Sequence, residues 1–259
     1  MDCRVYGDAP YRAVVVHGGP GAPGTCAGIC RGLAGDMGVL EHLQTKHTIE
    51  ALLAELHGIL DRYGLQQTVL IGHSWGAWLS YLFAARYPDA VQKLILVGSG
   101  PFEAAYVPQI AQARAARLTL AQAQAMQEAF SYLNSGSAGH DDARQQAFFD
   151  LPDTDHYCLL DDIPEDMLHF DEAQYRALFG EIVPMRESGA LLAYAEQIRC
   201  PVLAIHGRDD PHPVEGVRGP LAGRLRDFRL VELEKCGHDP WKERYAREAF
   251  FDILRNEIP

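Results

Sequence analysis

Thr68-Val-Leu-Ile-Gly72-His73-Ser74-Trp75-Gly76 is the stretch on which the reading of this chain turns. Its first four residues form an apolar, partly β-branched run suited to a buried strand, and an Ala- and Leu-rich helical pattern follows Gly76. Small residues at 72 and 76 allow a sharp turn between strand and helix, which pushes the Ser74 hydroxyl clear of the sheet edge. The start of the next helix adds N–H groups and positive potential for a developing oxyanion. Ser74 is therefore the first candidate nucleophile.

Working outward, four more runs read as strands: Ala13-Val-Val-Val-His17, Lys93-Leu-Ile-Leu-Val97, Pro201-Val-Leu-Ala-Ile-His206 and Phe228-Arg-Leu-Val-Glu-Leu233. The continuous apolar character of the first two suits parallel strands covered on both faces. Between them, Ile49, Leu52, Leu53, Leu56, Ile59, Leu60 and Tyr63 recur at helical spacing, with Thr48 as N-cap and Gly64 as the stop. A second helix is expected near the C-terminus, where Trp241, Tyr245, Ala249 and Ile253 form a row begun by Asp239 as N-cap and Pro240 at the first helical position. Strands alternating with helices predict an α/β fold with a doubly wound, mostly parallel sheet.

One connection breaks the rhythm. Some hundred residues separate the strands ending near 98 and starting near 200, far more than a crossover needs. Residues 100–199 are expected to form a mainly helical cap inserted into a core made of 1–99 and 200–259, over the carboxyl edge of the sheet where ligands bind in such folds. Within it lie an Ala/Gln tract from Ala111 to Phe130, a Ser135–Gly139 break, and a stretch between Arg144 and Arg176 that has no lysine or arginine but holds Asp150, Asp153, Asp155, Asp161, Asp162, Glu165, Asp166, Asp171 and Glu172. These acids form either a solvated face or a cleft that attracts an ammonium group.

A serine hydroxyl needs a base, and the base an orienting acid. After the strand at 201–206 comes Gly207-Arg-Asp209-Asp210-Pro211, and after the strand at 228–233 comes Cys236-Gly237-His238-Asp239-Pro240. Loops at the carboxyl ends of parallel strands open on one edge, so Ser74, an aspartate and His238 can converge. Asp210 is the choice over Asp209, because a residue before proline is held extended, while Asp209 can pair with Arg208. Donors for the oxyanion are expected from the backbone of Trp75 and of Gly19, in His17-Gly-Gly19-Pro-Gly21.

Together, His17-Gly-Gly-Pro-Gly21, Gly72-His-Ser-Trp-Gly76, Gly207-x-x-Asp210-Pro211 and Gly237-His238 resemble the α/β-hydrolase superfamily, and within it the proline iminopeptidase-like branch. The resemblance implies a Ser74, Asp210, His238 triad, an oxyanion hole at Gly19 and Trp75, and no cofactor. His73 stands where the family peptidases usually carry glycine, and the segment from Thr25 to Thr48 lacks their Asp-x-Arg-Gly stretch. In those peptidases cap acids hold a free N-terminus, which would suit an amine-bearing substrate. Haloalkane and epoxide chemistry is disfavoured, because those relatives need an aspartate where Ser74 stands.

The bulk properties narrow the partners. A net charge of −12 repels nucleic acid and anionic lipid. No apolar stretch approaches a membrane span and the first residues carry no secretory signal, which points to the cytoplasm. The six cysteines lack a C-x-x-C pair and read as reduced structural thiols. His206, Asp209, Asp210 and His212 match no metal motif, and the Gly18–Thr25 run lacks the ending of a phosphate loop. The expected activity is serine hydrolysis of a small ester or amide, carboxylesterase-like or aminopeptidase-like. The competing reading is a binding protein on the same scaffold with little turnover.

Overall fold

The computed structural model describes residues 1–134 and 141–259, with the backbone alone for Asp142. Seven strands form one sheet: β1 (Cys3–Tyr6), β2 (Tyr11–Val16), β3 (Gly38–His42), β4 (Thr68–His73), β5 (Val91–Val97), β6 (Val202–Gly207) and β7 (Phe228–Leu233). Their spatial order is β1-β3-β2-β4-β5-β6-β7. Only the β1–β3 pair is antiparallel; the other five pairs run parallel.

The apolar runs of the sequence are explained by this placement. Side chains alternate across a strand, so Val14, Val16, Leu70, Leu94 and Leu96 face one core, while Ala13, Val15, Val69, Ile71, Ile95 and Val97 face another. The first core is closed by α2 (Ile49–Arg62) and α3 (Trp75–Arg86), the second by α1 (Ala27–Leu33) and α10 (Arg247–Glu257). Thr48 accepts from the Ala51 N–H as the N-cap of α2, and Gly64 follows its end at φ 67.

Two strands, β1 and β3, carry no strand signal in the sequence. β1 is a short four-residue edge, and β3 carries Glu41 and His42, charged or titratable residues that hide its strand character. They are buried because partners exist at a distance: Tyr6 donates to Glu41 and the His42 ring meets Glu55, each at 2.8 Å. Near the C-terminus the expected continuous helix is instead a 3₁₀ turn at Pro240–Lys242 followed by α10, and Asp239 makes no N-cap bond. Its carboxylate is taken by other partners, and the buried face of α10 is Phe250, Phe251 and Leu254, while Tyr245 is exposed.

Between β5 and β6 lie α4 (Val107–Ala115), α5 (Leu120–Asn134), α6 (Asp142–Phe149), α7 (Glu172–Glu187) and α8 (Ala190–Ala193), with α9 (Glu215–Ala222) following β6. The Ala/Gln tract is thus two helices broken at Leu118-Thr119, where Thr119 engages Gln122. The Ser135–Gly139 break lies outside the described residues. An extended strap, 150–171, connects α6 to α7 and is tied to the sheet's loops. Leu168 and Asp171 donate backbone N–H groups to Pro23 and Gly21, and Leu160 pairs with Lys242. No helix of the described residues is long and apolar enough to cross a membrane.

Candidate active site

At the carboxyl end of β4 the chain reverses within one residue. Ser74 sits at φ 52, ψ −116 and α3 begins at Trp75. Such a conformation costs a non-glycine residue on the order of 1–3 kcal/mol and persists only where the surroundings over-determine it. The Ser74 N–H is bound to Val97 O at 2.9 Å, and its carbonyl accepts from Ala77 at 3.0 Å. The flanking glycines are required by space: a Cβ on Gly72 would lie 2.3 Å from Gly76 O, and one on Gly76 2.3 Å from Val16 O.

Asp210 lies at the carboxyl end of β6 and His238 beyond β7. The His238 Nδ1–H donates to Asp210 Oδ2 at 2.8 Å, leaving Nε2 for another partner, and Ser74 and His238 line one cavity. Burial disfavours a charged His238 ring, but the carboxylates of Asp210, Asp239 and Asp155 together outweigh it and raise the imidazole above its ordinary value. Although burial opposes it, Asp210 is held well below the usual carboxylate range by His238, His212 and His206. Asp209 takes no part: its carbonyl accepts from Arg117. The expected pair with Arg208 is absent, since that guanidinium reaches Glu232 and Glu234.

Gly19 and Trp75 both border the cavity. Trp75 opens α3, so its N–H has no partner one turn earlier in the helix. Gly19 adopts φ 47 within the tight turn after β2. The two segments are clamped by Gln44, which nothing in the local sequence marks. Gln44 accepts from the Trp75 indole N–H and donates to His17 O, each at 2.8 Å, from a backbone at φ 51. Its own carbonyl accepts from Gln174 of α7 at 2.5 Å.

His73 and His212 were also unassigned. His212 donates its backbone N–H and Nδ1–H to Asp210 Oδ1, both at 2.8 Å, and stacks on the His238 ring at 4.4 Å. Burial pushes it down to about 4, so it is neutral in use. His73 reaches Asp239 Oδ1 at 3.0 Å and His238 O at 3.2 Å, packed edge-on to Trp241. Asp239 also pairs with Lys242 at 2.7 Å and with His156 at 3.3 Å. A buried carboxylate with three basic neighbours thus anchors the loop that carries His238. The only advance signal was the Asp-Pro pair after His238.

Among the described residues, two groups of side chains have metal-ligand proximity, His73 with His238 and Asp239, and Asp210 with His212 and His238. In the second, both carboxylate oxygens already accept imidazole protons, so a cation would have to displace them. His206 donates Nε2–H to His212 O at 2.8 Å and serves to shape this loop.

The cavity measures about 1430 Å³ and lies between the sheet edge and the helices α4, α5 and α7. Its walls are mostly apolar, with Trp78, Ile110, Phe130, Phe179 and Val183 prominent. The acids of the strap are not among the described residues that line it. Asp155 holds Arg114, Asp161 holds Arg244, Asp166 holds Arg31, and Glu172 holds Arg176. Of the two readings of the acid-rich stretch, carboxylates facing the cleft is therefore the one these residues do not meet.

A turned serine at the edge of a parallel sheet, with an imidazole and a carboxylate delivered by later strand ends, defines the class. The chain belongs to the alpha/beta hydrolase fold family, whose model matches residues 14–245. It is 25% identical over 274 residues to the proline iminopeptidase of Lactobacillus delbrueckii subsp. bulgaricus, covering 98% of this chain and 83% of that protein. A match to epoxide hydrolase 4 of Mus musculus is 39% identical over 54 residues, but takes in 21% of this chain and 15% of that protein. The crystal structure of VinJ superimposes with a TM-score of 0.69 at 20% identity, over 98% of this chain and 93% of that one.

Proposed function

We propose that the protein is a serine hydrolase that cleaves an ester or amide of a small substrate through an acyl-enzyme. The observation that carries this reading is the 2.8 Å bond from His238 to Asp210 in a cavity shared with Ser74. Ser74 Oγ attacks the carbonyl carbon while His238 Nε2 takes its proton. The oxyanion is held by the N–H groups of Gly19 and Trp75. Collapse expels the alcohol or amine, which receives the proton from His238. Water then attacks the acyl carbon with His238 again as base, and Ser74 is restored. Asp210 holds the imidazole and stabilises its charged form, and residues 100–199 act as a cap that walls the substrate from water.

An apolar cavity without a lining carboxylate among the described residues favours carboxylesterase-like over aminopeptidase-like substrates. The aminopeptidase reading draws on the full-length likeness to a proline iminopeptidase. Epoxide opening would require a carboxylate nucleophile at position 74, where serine stands. The test is fluorophosphonate labelling with hydrolysis of p-nitrophenyl acyl esters and of proline p-nitroanilide. Labelling that disappears in Ser74→Ala, with esters preferred, supports the reading. Wild type that resists the label, or turnover that survives Ser74→Ala, overturns it; a preference for the anilide would move the assignment to the peptidase.

A further inference from the structure

Three arginines line the cavity: Arg114, Arg176 and Arg186. The first two are neutralised where they stand. Arg114 makes a two-pronged bond to Asp155, with 2.8 and 2.5 Å contacts, and Arg176 lies on Glu172 at 2.6 Å. Arg186, in the last turn of α7, differs: among the described residues it has no ion pair or side-chain hydrogen bond, and its shielded Nε lacks a partner. Its guanidinium carbon lies 5.4 Å from the Trp78 ring centre, over an indole held in place by its N–H bond to Gly100 O at 3.1 Å. Trp78 stands one helical turn beyond Ser74 on α3. Burial pushes the Arg186 guanidinium down from its ordinary value, but an arginine stays charged at any working pH.

The Glu187 carboxylate attracts the half-buried guanidinium without pairing with it, and a partly desolvated charge with no contact counter-ion is costly unless a ligand supplies one. Resting on the hydrolase reading, we infer that Arg186 is the anion-binding group of the substrate cavity, and that the substrate is an apolar ester or amide whose far end carries a carboxylate. The planar fork, laid on Trp78, presents its free edge to a planar two-oxygen anion. A single guanidinium suits a monoanion better than a phosphate dianion. The apolar walls on either side fit the chain that joins the carboxylate to the scissile carbonyl. This assignment reverses the charge that the acid-rich strap suggested, because four of those acids are paired with Arg31, Arg114, Arg176 and Arg244 and none of the nine lines the cavity.

The alternative is an arginine whose stem packs on Trp78 and whose head merely reaches water. Calorimetric titration of the Ser74→Ala protein with monomethyl suberate and dimethyl suberate separates the two. The half-ester should bind at least about tenfold tighter, a preference weakened by salt, since charge-assisted contacts of this kind discriminate by such factors. Arg186→Gln in the same background should collapse the preference to about threefold or less, and Arg186→Lys should restore part of it. Equal binding of both esters by Ser74→Ala, or a preference that survives Arg186→Gln, overturns the assignment. Should Arg186→Gln fail to fold, the lysine variant and the ligand pair still decide. Because binding is read without turnover, a protein that prefers the half-ester yet resists fluorophosphonate keeps the anion site and loses only the hydrolase.

Discussion

The loops at the carboxyl edge of the sheet and the helices that cover them are built on different principles. In the loops, polar groups are matched one by one: Asp210 serves His238, His212 and His206, Gln44 serves Trp75 and His17, and Asp239 serves His73, His156 and Lys242. The covering helices α4 and α5 expose most of their surface and contribute mainly apolar side chains to the cavity. A matched polar network tolerates little change, because each loss strands a buried partner. An apolar wall repacks. The chemistry is therefore expected to be sensitive to single atoms and the specificity to volume and charge.

The largest effect expected from breaking this contrast is in the loops. Asp210→Asn should lower kcat by on the order of 10³–10⁴ fold while Asp209→Asn stays within about twofold, measured on p-nitrophenyl esters. Equal effects would undo the assignment of the carboxylate. The pH profile sharpens it: in the proposed role of base His238 works only when neutral, and in the fold its value is raised above the ordinary one. Activity should thus fall on the acid side with a midpoint above about pH 6.5.

Gln44→Ala ranks next. It frees both the Trp75 indole and the turn at His17, and a loosened oxyanion hole should cost roughly 10–100 fold in kcat with a smaller change in KM. Asp239→Ala tests the anchor. Removing a buried carboxylate from Lys242 and His156 should destabilise the fold by about 3–5 kcal/mol in urea titration, with His73 left to His238 O alone. At the small end, Phe179→Ala in the covering helix should raise KM about three- to tenfold for long acyl chains and less for acetyl esters. A loss of kcat as large as that of Gln44→Ala would show that the wall is part of the machinery.

The same contrast explains what the sequence could disclose. Ser74, His238 and Asp210 stood out because turns at strand ends need glycine and proline at fixed offsets, and those residues mark the place whatever surrounds them. β3 and the roles of Gln44 and His212 were hidden, because nothing local to Glu41, Gln44 or His212 announces the distant partner that makes burial tolerable. The acid-rich strap was legible in part: Asp150, Asp153, Asp161, Asp162 and Glu165 are exposed as a solvated face would be, while the partners of the others were hidden for a related reason. A run of like charges predicts repulsion and solvent, but here each of several acids meets an arginine more than 40 residues away, among them Asp155 with Arg114 and Asp166 with Arg31. Charge composition along the chain said nothing about charge inside the cavity.

The strap has a consequence for anyone who would graft new substrate preference onto this scaffold. The His238 N–H is bound to Asp155 O at 2.8 Å, Glu243 accepts from Tyr157, Cys158 and Gly237, and Arg244 N–H closes on Cys158 O. The proposed general base is thus moored to the very insertion that a chimera would replace. Transplanting helices α4 and α5 leaves those backbone bonds in place provided Arg114, which holds the Asp155 carboxylate, is kept, whereas exchanging everything between β5 and β6 cuts them, so the seam of a working hybrid belongs ahead of Thr154 rather than after Ile198.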